Sequence, residues 1–297
     1  MAASLQESYA KSMTCHGYGY GFYEPESTKD VRPGLCGYID DSGRWQTIVD
    51  LAHPAAISQK GYSAFSYNDK MQTTRRRWGP KTSSSVIQKE TRIDASVSGA
   101  SASVPVNASI LWTYSHSSNF GAILLCPEDI TNEGYRQKSP FRSWATSNAK
   151  SLFKNCPDVK EHGFFIITST WHTTEAFTTA WSNPTNQVQI GVKVGAACVG
   201  EAGQSFEYYR ADAAGSWIEA DVKGGRKNVV FFGGLYFKYR PLYLKPKEIA
   251  QKYWESRAAD SAQKTIFSDP EDEKAVYMVE TSEVGDLDVE EGEDNED

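Results

Sequence analysis

The feature of the sequence that most constrains its fold is a long alternation of apolar and polar residues. Its apolar positions are Ala102, Val104, Val106, Ala108, Ile110, Trp112 and Tyr114, and most residues between them are Ser, Thr or Asn. A period of 2 predicts a β-strand with two different faces. At about thirteen residues, this strand exceeds the usual length of about 5–6 and the length of about 9–11 that crosses a membrane.

Two interpretations of this strand remain open from its pattern. An ordinary antiparallel sheet, with one face on the core and the other in water, is the commonest source of period 2. The other interpretation is a membrane-inserting strand, because its polar side is neutral and Trp112 and Tyr114 stand near one end.

Neighbouring segments extend the pattern. Before the turn at Gly99–Ser101, one parity holds Ile87, Thr91, Ile93, Ala95 and Val97, and the other holds Gln88, Glu90, Arg92, Asp94, Ser96 and Ser98. Further along, Gly163–Trp181 is rich in β-branched and aromatic residues, and Ser182–Asn186 is a turn cluster. The return strand alternates through Val188, Ile190, Val192, Val194 and Ala196. Gly163–Ala196 therefore has the proportions of a second hairpin.

Shorter patterns predict the remaining elements. Asp41–Arg44 is a hairpin turn between Cys36–Asp40 and Trp45–Leu51, and Asn228–Phe237 is a buried strand. A helix is predicted from the 3-to-4 spacing of Phe141, Trp144, Ala145, Ala149, Leu152 and Phe153. Without βαβ regularity, this mixture predicts an α+β fold, a twisted antiparallel sheet with surrounding helices.

The charge is unevenly distributed along the chain. Residues 267–297 hold fourteen acids and one base, a net charge of −13, whereas the rest holds 30 bases and 24 acids, a net charge of +6. We expect a folded body over residues 1–245, a C-terminal helix over 246–266 and an acidic disordered tail over 267–297. The tail either keeps the protein soluble or competes with anionic partners for the basic body.

Convergent catalytic groups are not found in the sequence. The five histidines and five cysteines have no spacing typical of metal ligands, and no phosphate-binding or nucleophile motif is present. We therefore expect a protein that is not an enzyme and has no cofactor. The odd, scattered cysteines indicate free thiols, and the first residues lack the pattern of a secretory signal, so we expect the cytoplasm.

The densest basic cluster lies between Arg75 and Lys81. Its members are Arg75, Arg76, Arg77, Trp78 and Lys81. One interpretation is a contact with anionic lipid, in which Trp78 anchors the chain at the interface. A solvated loop and a nucleic-acid contact are the alternatives, and one short cluster without a recognition module argues against nucleic acid.

In the order of these elements, the sequence resembles the pore-forming N-terminal domain of gasdermins, and the short fungal members most closely. The resemblance covers about residues 1–245. It rests on the basic cluster with Trp78, Ser96–Gly99, the Ser-rich Phe-Gly element Ser117–Ala122, Gly163–Glu175 and the closing strand Val229–Phe237.

The resemblance implies a fold like that domain, convertible to a membrane β-barrel on oligomerisation. It implies a pore-forming effector of regulated cell death, cytoplasmic when inactive and at the inner leaflet of the plasma membrane when active. Two hairpin regions, about Ile87–Leu125 and Phe164–Ala196, would insert. The implied partners are acidic phospholipids, further copies of the chain, and either a related gasdermin-like chain or an activating protease. The alternative is a soluble β-rich binding module, lectin-like or protein-interacting, without membrane activity.

These expectations assign residues to two roles. The predicted lipid-binding residues are Arg75, Arg76, Arg77, Trp78, Lys81, Lys238 and Arg240. The predicted membrane-inserting residues are Val104, Val106, Ala108, Ile110, Trp112, Ile167, Trp171, Val188, Ile190, Val192 and Val194. Only 57 residues follow Arg240, too few for the inhibitory domain of animal gasdermins, so we expect control to lie in the tail or in a partner.

Overall fold

A computed structural model describes most of the folded body and two short stretches near the C-terminus. The described residues are 4–92, 110–183, 185–194, 206–211, 217–220, 226–242, 265–268 and 276–284. Within them the helices are α1 (Leu5–Met13), α2 (Pro54–Gln59), α3 (Ser139–Asn155) and α4 (Val159–His162), with a 3₁₀ turn at Thr14–His16. No helix in these ranges is both long enough and apolar enough to cross a membrane.

The described strands number seventeen. In chain order they are β1 (Tyr20–Ser27), β2 (Leu35–Ile39), β3 (Trp45–Asp50), β4 (Thr74–Arg76), β5 (Lys81–Thr82), β6 (Val86–Arg92), β7 (Ile110–His116), β8 (Gly121–Leu125), β9 (Ile130–Gly134), β10 (Phe164–Thr173), β11 (Phe177–Trp181), β12 (Val188–Val194), β13 (Phe206–Ala211), β14 (Ile218–Glu219), β15 (Asn228–Leu242), β16 (Thr265–Ser268) and β17 (Val276–Glu283).

These strands form three sheets. The central sheet has the order β16-β17-β15-β10-β2-β3, with β1 beside β15, β9 beside β10 and β4 beside β9. The cover sheet has the order β14-β11-β8-β5, and the hairpin sheet has the order β13-β12-β7-β6. Every pairing between the described strands is antiparallel. The predicted α+β class with antiparallel sheets is confirmed.

Helix α3 forms where the 3-to-4 spacing predicts it. A proline stands in its first turn, where a missing N–H costs nothing, and Pro157 follows its end at Asn155. Its buried face packs on the central sheet, where Phe153 and Leu152 join Phe164 and Phe237 in one apolar cluster. The prediction of this helix is confirmed.

The opposite side of the molecule is layered. One face of the cover sheet packs against α1 and the central sheet, where Leu124 joins Met13 and Phe231. Its other face packs against the hairpin sheet, where Ile123 and Trp181 meet apolar residues of β7 and β12. The hairpin sheet is thus the outermost layer, held by the cover sheet.

The predicted hairpin Phe164–Ala196 is wrong. Strand β10 pairs with β15, β2 and β9 in the central sheet, whereas β12 pairs with β7 and β13 in the hairpin sheet. The continuous apolar run of β10 is buried almost throughout, which suits a central strand, whereas the alternation of β12 suits a sheet with one covered face. The hairpin that contains β12 is β12–β13.

The first predicted hairpin is partly observed. Strands β6 and β7 pair antiparallel, from Val86↔His116 to Arg92↔Ile110, while residues 93–109, including Val104, Val106 and Ala108, lie outside the described ranges. The end of the predicted region, β8, belongs to the cover sheet instead. All five residues of β8 are buried, because other elements pack on both of its faces, as expected for a strand in an inner sheet.

The prediction of a disordered tail over 267–297 is wrong for residues 276–283, which form β17 beside β15. Apolar residues on both faces of the central sheet explain this strand, since Val279 is buried on the α3 face and Val284, directly after the strand, is buried in another cluster. A count of charges over the tail does not reveal these apolar positions. The predicted helix over 246–266 lies almost wholly outside the described residues, and Thr265 and Ile266 of its last turn are in β16.

Candidate functional site

The hairpin sheet brings together the predicted membrane-inserting residues of β7 and β12. Ile190 stands opposite Trp112, and Val192 stands opposite Ile110. Because directly opposed residues of antiparallel strands share a face, these four side chains form one apolar surface. Val188 joins it opposite the fully buried Tyr114.

That apolar surface is covered by the cover sheet. Ile190 and Val192 are 0 % exposed, in a cluster with Ile123 and Trp181. Burial of a side chain of this size contributes about 1.5–3 kcal/mol relative to exposure in water. In water, separating the two sheets would expose this apolar face, so the hairpin sheet stays packed on the cover sheet.

Strand β6 contributes polar groups to the same face. Its register places Gln88, Glu90 and Arg92 opposite the apolar residues of β7, and Trp112 Nε1 donates a 3.3 Å hydrogen bond to Glu90 Oε2. Ile87, which the pattern groups with the apolar parity, faces the other way and is 57 % exposed. The alternation of β6 is thus opposite to that of β7, so this edge of the sheet is polar.

Two predicted membrane-inserting residues lie elsewhere. Ile167 of β10 is fully buried in the core of the central sheet, in a cluster with Phe165 and Phe232. Trp171, also on β10, is half-buried beside Tyr18, with ring centroids 4.9 Å apart. Strand β10 is a central strand and not an arm of the hairpin sheet, so these two residues lie apart from the other predicted membrane-inserting residues, and their insertion stays a prediction.

The three arginines of the basic cluster are exposed at the end of the central sheet. Arg75 and Arg76 lie on β4, which pairs with β9, and Arg77 follows it. The guanidinium of Arg76 lies 5.3 Å from the ring centroid of Trp171. Arg77 Nε donates to the carbonyl oxygen of Pro127 at 3.2 Å. The guanidinium groups thus stay in solvent, where anions can reach them.

Trp78 has a different place from the one predicted. It is only 4 % exposed and stacks on Tyr18, with ring centroids 4.5 Å apart and planes 14° apart. Lys81 Nζ lies 5.2 Å from the Trp78 ring centroid and 5.5 Å from that of Tyr18. An interfacial anchor requires an exposed ring, so Trp78 is not placed for that role here, and its contact with lipid stays a prediction. Its ring instead supports the lysine by a cation–π contact.

Titratable groups border this aromatic cluster. His16 stacks on Tyr18 at 6.1 Å, and burial together with the nearby charge of Lys81 lowers the pKa of His16. On the neighbouring strands, the contact with His172 lowers the pKa of Glu133. In the ranges that the structure describes, no group of three or more His, Cys, Asp or Glu residues could hold a metal ion.

The remaining predicted lipid-binding residues, Lys238 and Arg240, lie on β15, which is separated from β4 by β10 and β9 in the central sheet. Arg240 Nε pairs with Glu280 Oε2 at 2.5 Å, and Lys238 stands opposite Glu280 in the register. Arg240 is therefore paired with β17 and Lys238 lies opposite that strand, whereas the arginines of the first cluster lie on β4 and just after it. The predicted lipid-binding residues form two separate groups.

Sequence reasoning missed one member of the second group. Lys138, just before α3, pairs with Glu283 Oε2 at 2.7 Å. The apolar run Val276–Val279 was the available signal for β17, but nothing in the sequence pointed to Lys138.

No protein-family model, curated protein or solved structure matches the chain. The resemblance to gasdermins therefore rests on the quoted sequence segments alone.

Proposed function

We propose that the chain is a pore-forming protein of the gasdermin type, which binds acidic phospholipids, oligomerises and inserts its hairpin sheet into the membrane. The observation that carries this proposal is the composition of that sheet. Hairpins β6–β7 and β12–β13 lie side by side through the β7–β12 pairing. Their connections, residues 93–109 and 195–205, lie outside the described ranges, and the sequence continues the alternation of β7 back to Ala102.

The energetics favour a conversion at a membrane and oppose it in water. Moving the face of Ile190 and Val192 from the cover sheet into water would lose about 25 cal/mol for each Å² exposed. Moving the same face into lipid replaces one apolar environment by another. The hydrophobic cost of separating the two sheets is therefore much smaller beside a bilayer.

Edges explain why copies of the chain must associate. In the described ranges, the outer edges of β6 and β13 have no strand partner. Unpaired backbone groups in lipid cost several kcal/mol each, so inserted hairpins require neighbours on both sides. Edge-to-edge pairing between copies, closing into a ring, satisfies both edges.

The exposed cluster of Arg75, Arg76 and Arg77 supports the first contact with acidic phospholipids. Each basic residue near an anionic surface contributes about 1 kcal/mol. In this proposal the protein is cytoplasmic when inactive and reaches the inner leaflet of the plasma membrane when active, as an effector of regulated cell death. Either a related chain or a protease would act as the trigger.

Binding to liposomes tests this contact. Replacing Arg75, Arg76 and Arg77 by Ala removes about 3 kcal/mol, so binding to acidic liposomes should fall about 100-fold. The matched control removes the same charge elsewhere, by replacing the exposed Lys60, Lys150 and Lys154 with Ala.

Co-sedimentation at low and high salt measures both variants. The control should bind as the unmodified chain does, and salt should weaken binding of the unmodified chain. Equal losses in the two variants would show that net charge, and not this cluster, makes the contact. Binding unaffected in both would show that the membrane contact lies elsewhere on the protein, and absence of binding by the unmodified chain would favour a soluble binding module.

A further inference from the structure

One edge of β15 accepts two strands in succession. Strand β1 pairs with residues 228–232, and β17 pairs with residues 235–242 in eight consecutive register pairs. On the other edge, the pairing with β10 ends at Phe237. Across the described part of the chain, residues 238–242 thus have β17 as their strand neighbour, and this edge holds β17 by a backbone ladder.

Apolar contacts fix β17 on both faces of the central sheet. Val279 is 3 % exposed in the cluster formed by α3 and β15, and the Tyr277 ring lies 4.5 Å from that of Phe153. On the other face Val284 is 1 % exposed, and its N–H donates to the carbonyl oxygen of Gly234 at 3.1 Å. The edge therefore recognises apolar residues at defined positions.

Ion pairs also help to fix the register of β17 against β15. Glu280 pairs with Arg240, and Glu283 pairs with Lys138. All four side chains are between 34 % and 46 % exposed, so each pair contributes only about 0–1 kcal/mol. The pairs thus select an acidic strand and its alignment, while the ladder and the valines supply most of the affinity.

The β16–β17 hairpin joins the central sheet through β17, and the Phe267 ring of β16 packs beside Phe153, with ring centroids 5.3 Å apart. Strand β16 pairs only with β17 in the described ranges, and residues 243–264 separate it from β15. Those 22 residues can span at most roughly 70–80 Å, enough to reach another molecule. The contacts of β17 would be identical if the hairpin came from a second copy.

We propose that the edge of β15 from Leu235 to Leu242 is a groove for an extended acidic strand. The β16–β17 hairpin of the same chain fills this groove as a detachable ligand, and the hairpin of a second copy can replace it. Strand addition of this kind combines main-chain hydrogen bonds with side-chain pockets at alternate positions. Exchange of an identical element between copies joins them without any new contact. The proposal does not depend on membrane activity.

A charge swap between two full-length variants tests the exchange. The first variant carries Glu280→Lys and Glu283→Lys, and the second carries Lys138→Glu and Arg240→Glu. In each variant alone the hairpin meets like charge, whereas in the mixture each hairpin finds an opposite groove. The mixture should form a 1:1 dimer at a concentration about tenfold lower than either variant alone, by sedimentation velocity.

The chain carrying all four substitutions is the control, because its ion pairs are restored within one molecule. It should stay as monomeric as the unmodified chain. If the mixture dimerises no more readily than the separate variants, exchange between copies is ruled out.

Displacement by a peptide tests the groove itself without destabilising substitutions. A protease site inserted between Asp260 and Ser261 of the full chain allows the folded protein to be cut. A labelled peptide of residues 262–286 should bind the cut protein saturably and displace the protein's own C-terminal fragment. The Glu280→Lys, Glu283→Lys peptide should need about a tenfold higher concentration. Failure of the wild-type peptide to bind, or equal binding by a scrambled peptide, would overturn the groove.

Discussion

The substitution Gly121→Ala probes the contact between the cover sheet and the hairpin sheet. Gly121 begins β8, opposite Trp181 of β11. A Cβ atom at this position would lie 2.9 Å from Trp181 Cζ2, 3.0 Å from Trp181 Cε2 and 3.1 Å from His116 Cδ2. The ordinary contact distance is 3.4–4 Å, so the Trp181 ring must move by about half an ångström and the His116 ring by about 0.3 Å.

Both rings lie at the boundary of the two sheets. Trp181 belongs to the cover sheet and His116 to the hairpin sheet, with ring centroids 5.6 Å apart, and they are 5 % and 6 % exposed. Overpacking at buried sites costs about 1–3 kcal/mol. Because the added methyl pushes the rings at this boundary, the cost falls on the contact between the sheets. An energy of this size changes an equilibrium by about 5–150-fold.

Two measurements check this substitution. Urea unfolding followed by tryptophan fluorescence should give a free energy of unfolding lower by about 1–3 kcal/mol. Dye release from acidic liposomes should be faster, because the hairpin sheet separates more readily. The control is Gly79→Ala, whose added Cβ meets nothing within 4 Å and should change stability by less than about 1 kcal/mol. An unchanged free energy of unfolding in Gly121→Ala, or slower release, would refute the reasoning.

Two further predictions concern the hairpin sheet and the aromatic cluster. Ile110→Asp places a charge on the apolar face and should reduce dye release at least about tenfold while liposome binding stays the same. The control Thr113→Asp, on the opposite face of the same strand, should reduce dye release much less. Equal reductions by the two substitutions would contradict the assignment of faces. The neutral form of His16 is favoured in the folded state by burial and by Lys81, so its folded pKa is below its unfolded value and stability falls as pH drops through that unfolded value. Unfolding of His16→Gln should therefore depend less on pH than that of the unmodified chain between about pH 7.5 and 5.5, and identical profiles would contradict it.

Local patterns in the sequence predict local structure well in this chain. The turn at Asp41–Arg44 is confirmed, since β2 and β3 pair across it and Gly43 has a φ of 78°. The spacing of Phe141 and Leu152 likewise predicts α3, and the alternation of β7 and β12 predicts a strand with one buried face. In each case the cause is periodic burial within one element, which the sequence records directly.

The sequence does not show in the same direct way which strands pair with each other. The run from Phe164 is strongly β-forming, but its period does not tell whether it pairs with β12 or with β15, more than fifty residues later in the chain. Long-range packing decides, and a strand buried on both faces belongs in the centre of a sheet. The same limit explains Trp78, whose burial depends on Tyr18 and Trp171 from distant segments.

The acidic C-terminal segment shows a different limit. Its charge predicts disorder, because a chain that cannot bury enough apolar surface stays unfolded. The segment has few apolar residues, but Val279 and Val284 are both buried against the central sheet. A short segment can therefore be ordered by a sheet that is already formed, and composition averaged over the tail does not detect it.

Leakage of liposomes measures pore formation itself. The full chain and a chain ending at Ile266, which lacks β17, are compared on liposomes with and without acidic phospholipid. We expect dye release from acidic liposomes only, and faster release by the shorter chain, because Lys138 and Arg240 lose their acidic partners on β17 and Lys238 loses the strand opposite it. Absence of release by both chains, each shown to be folded by circular dichroism, would contradict the claim that this protein forms membrane pores.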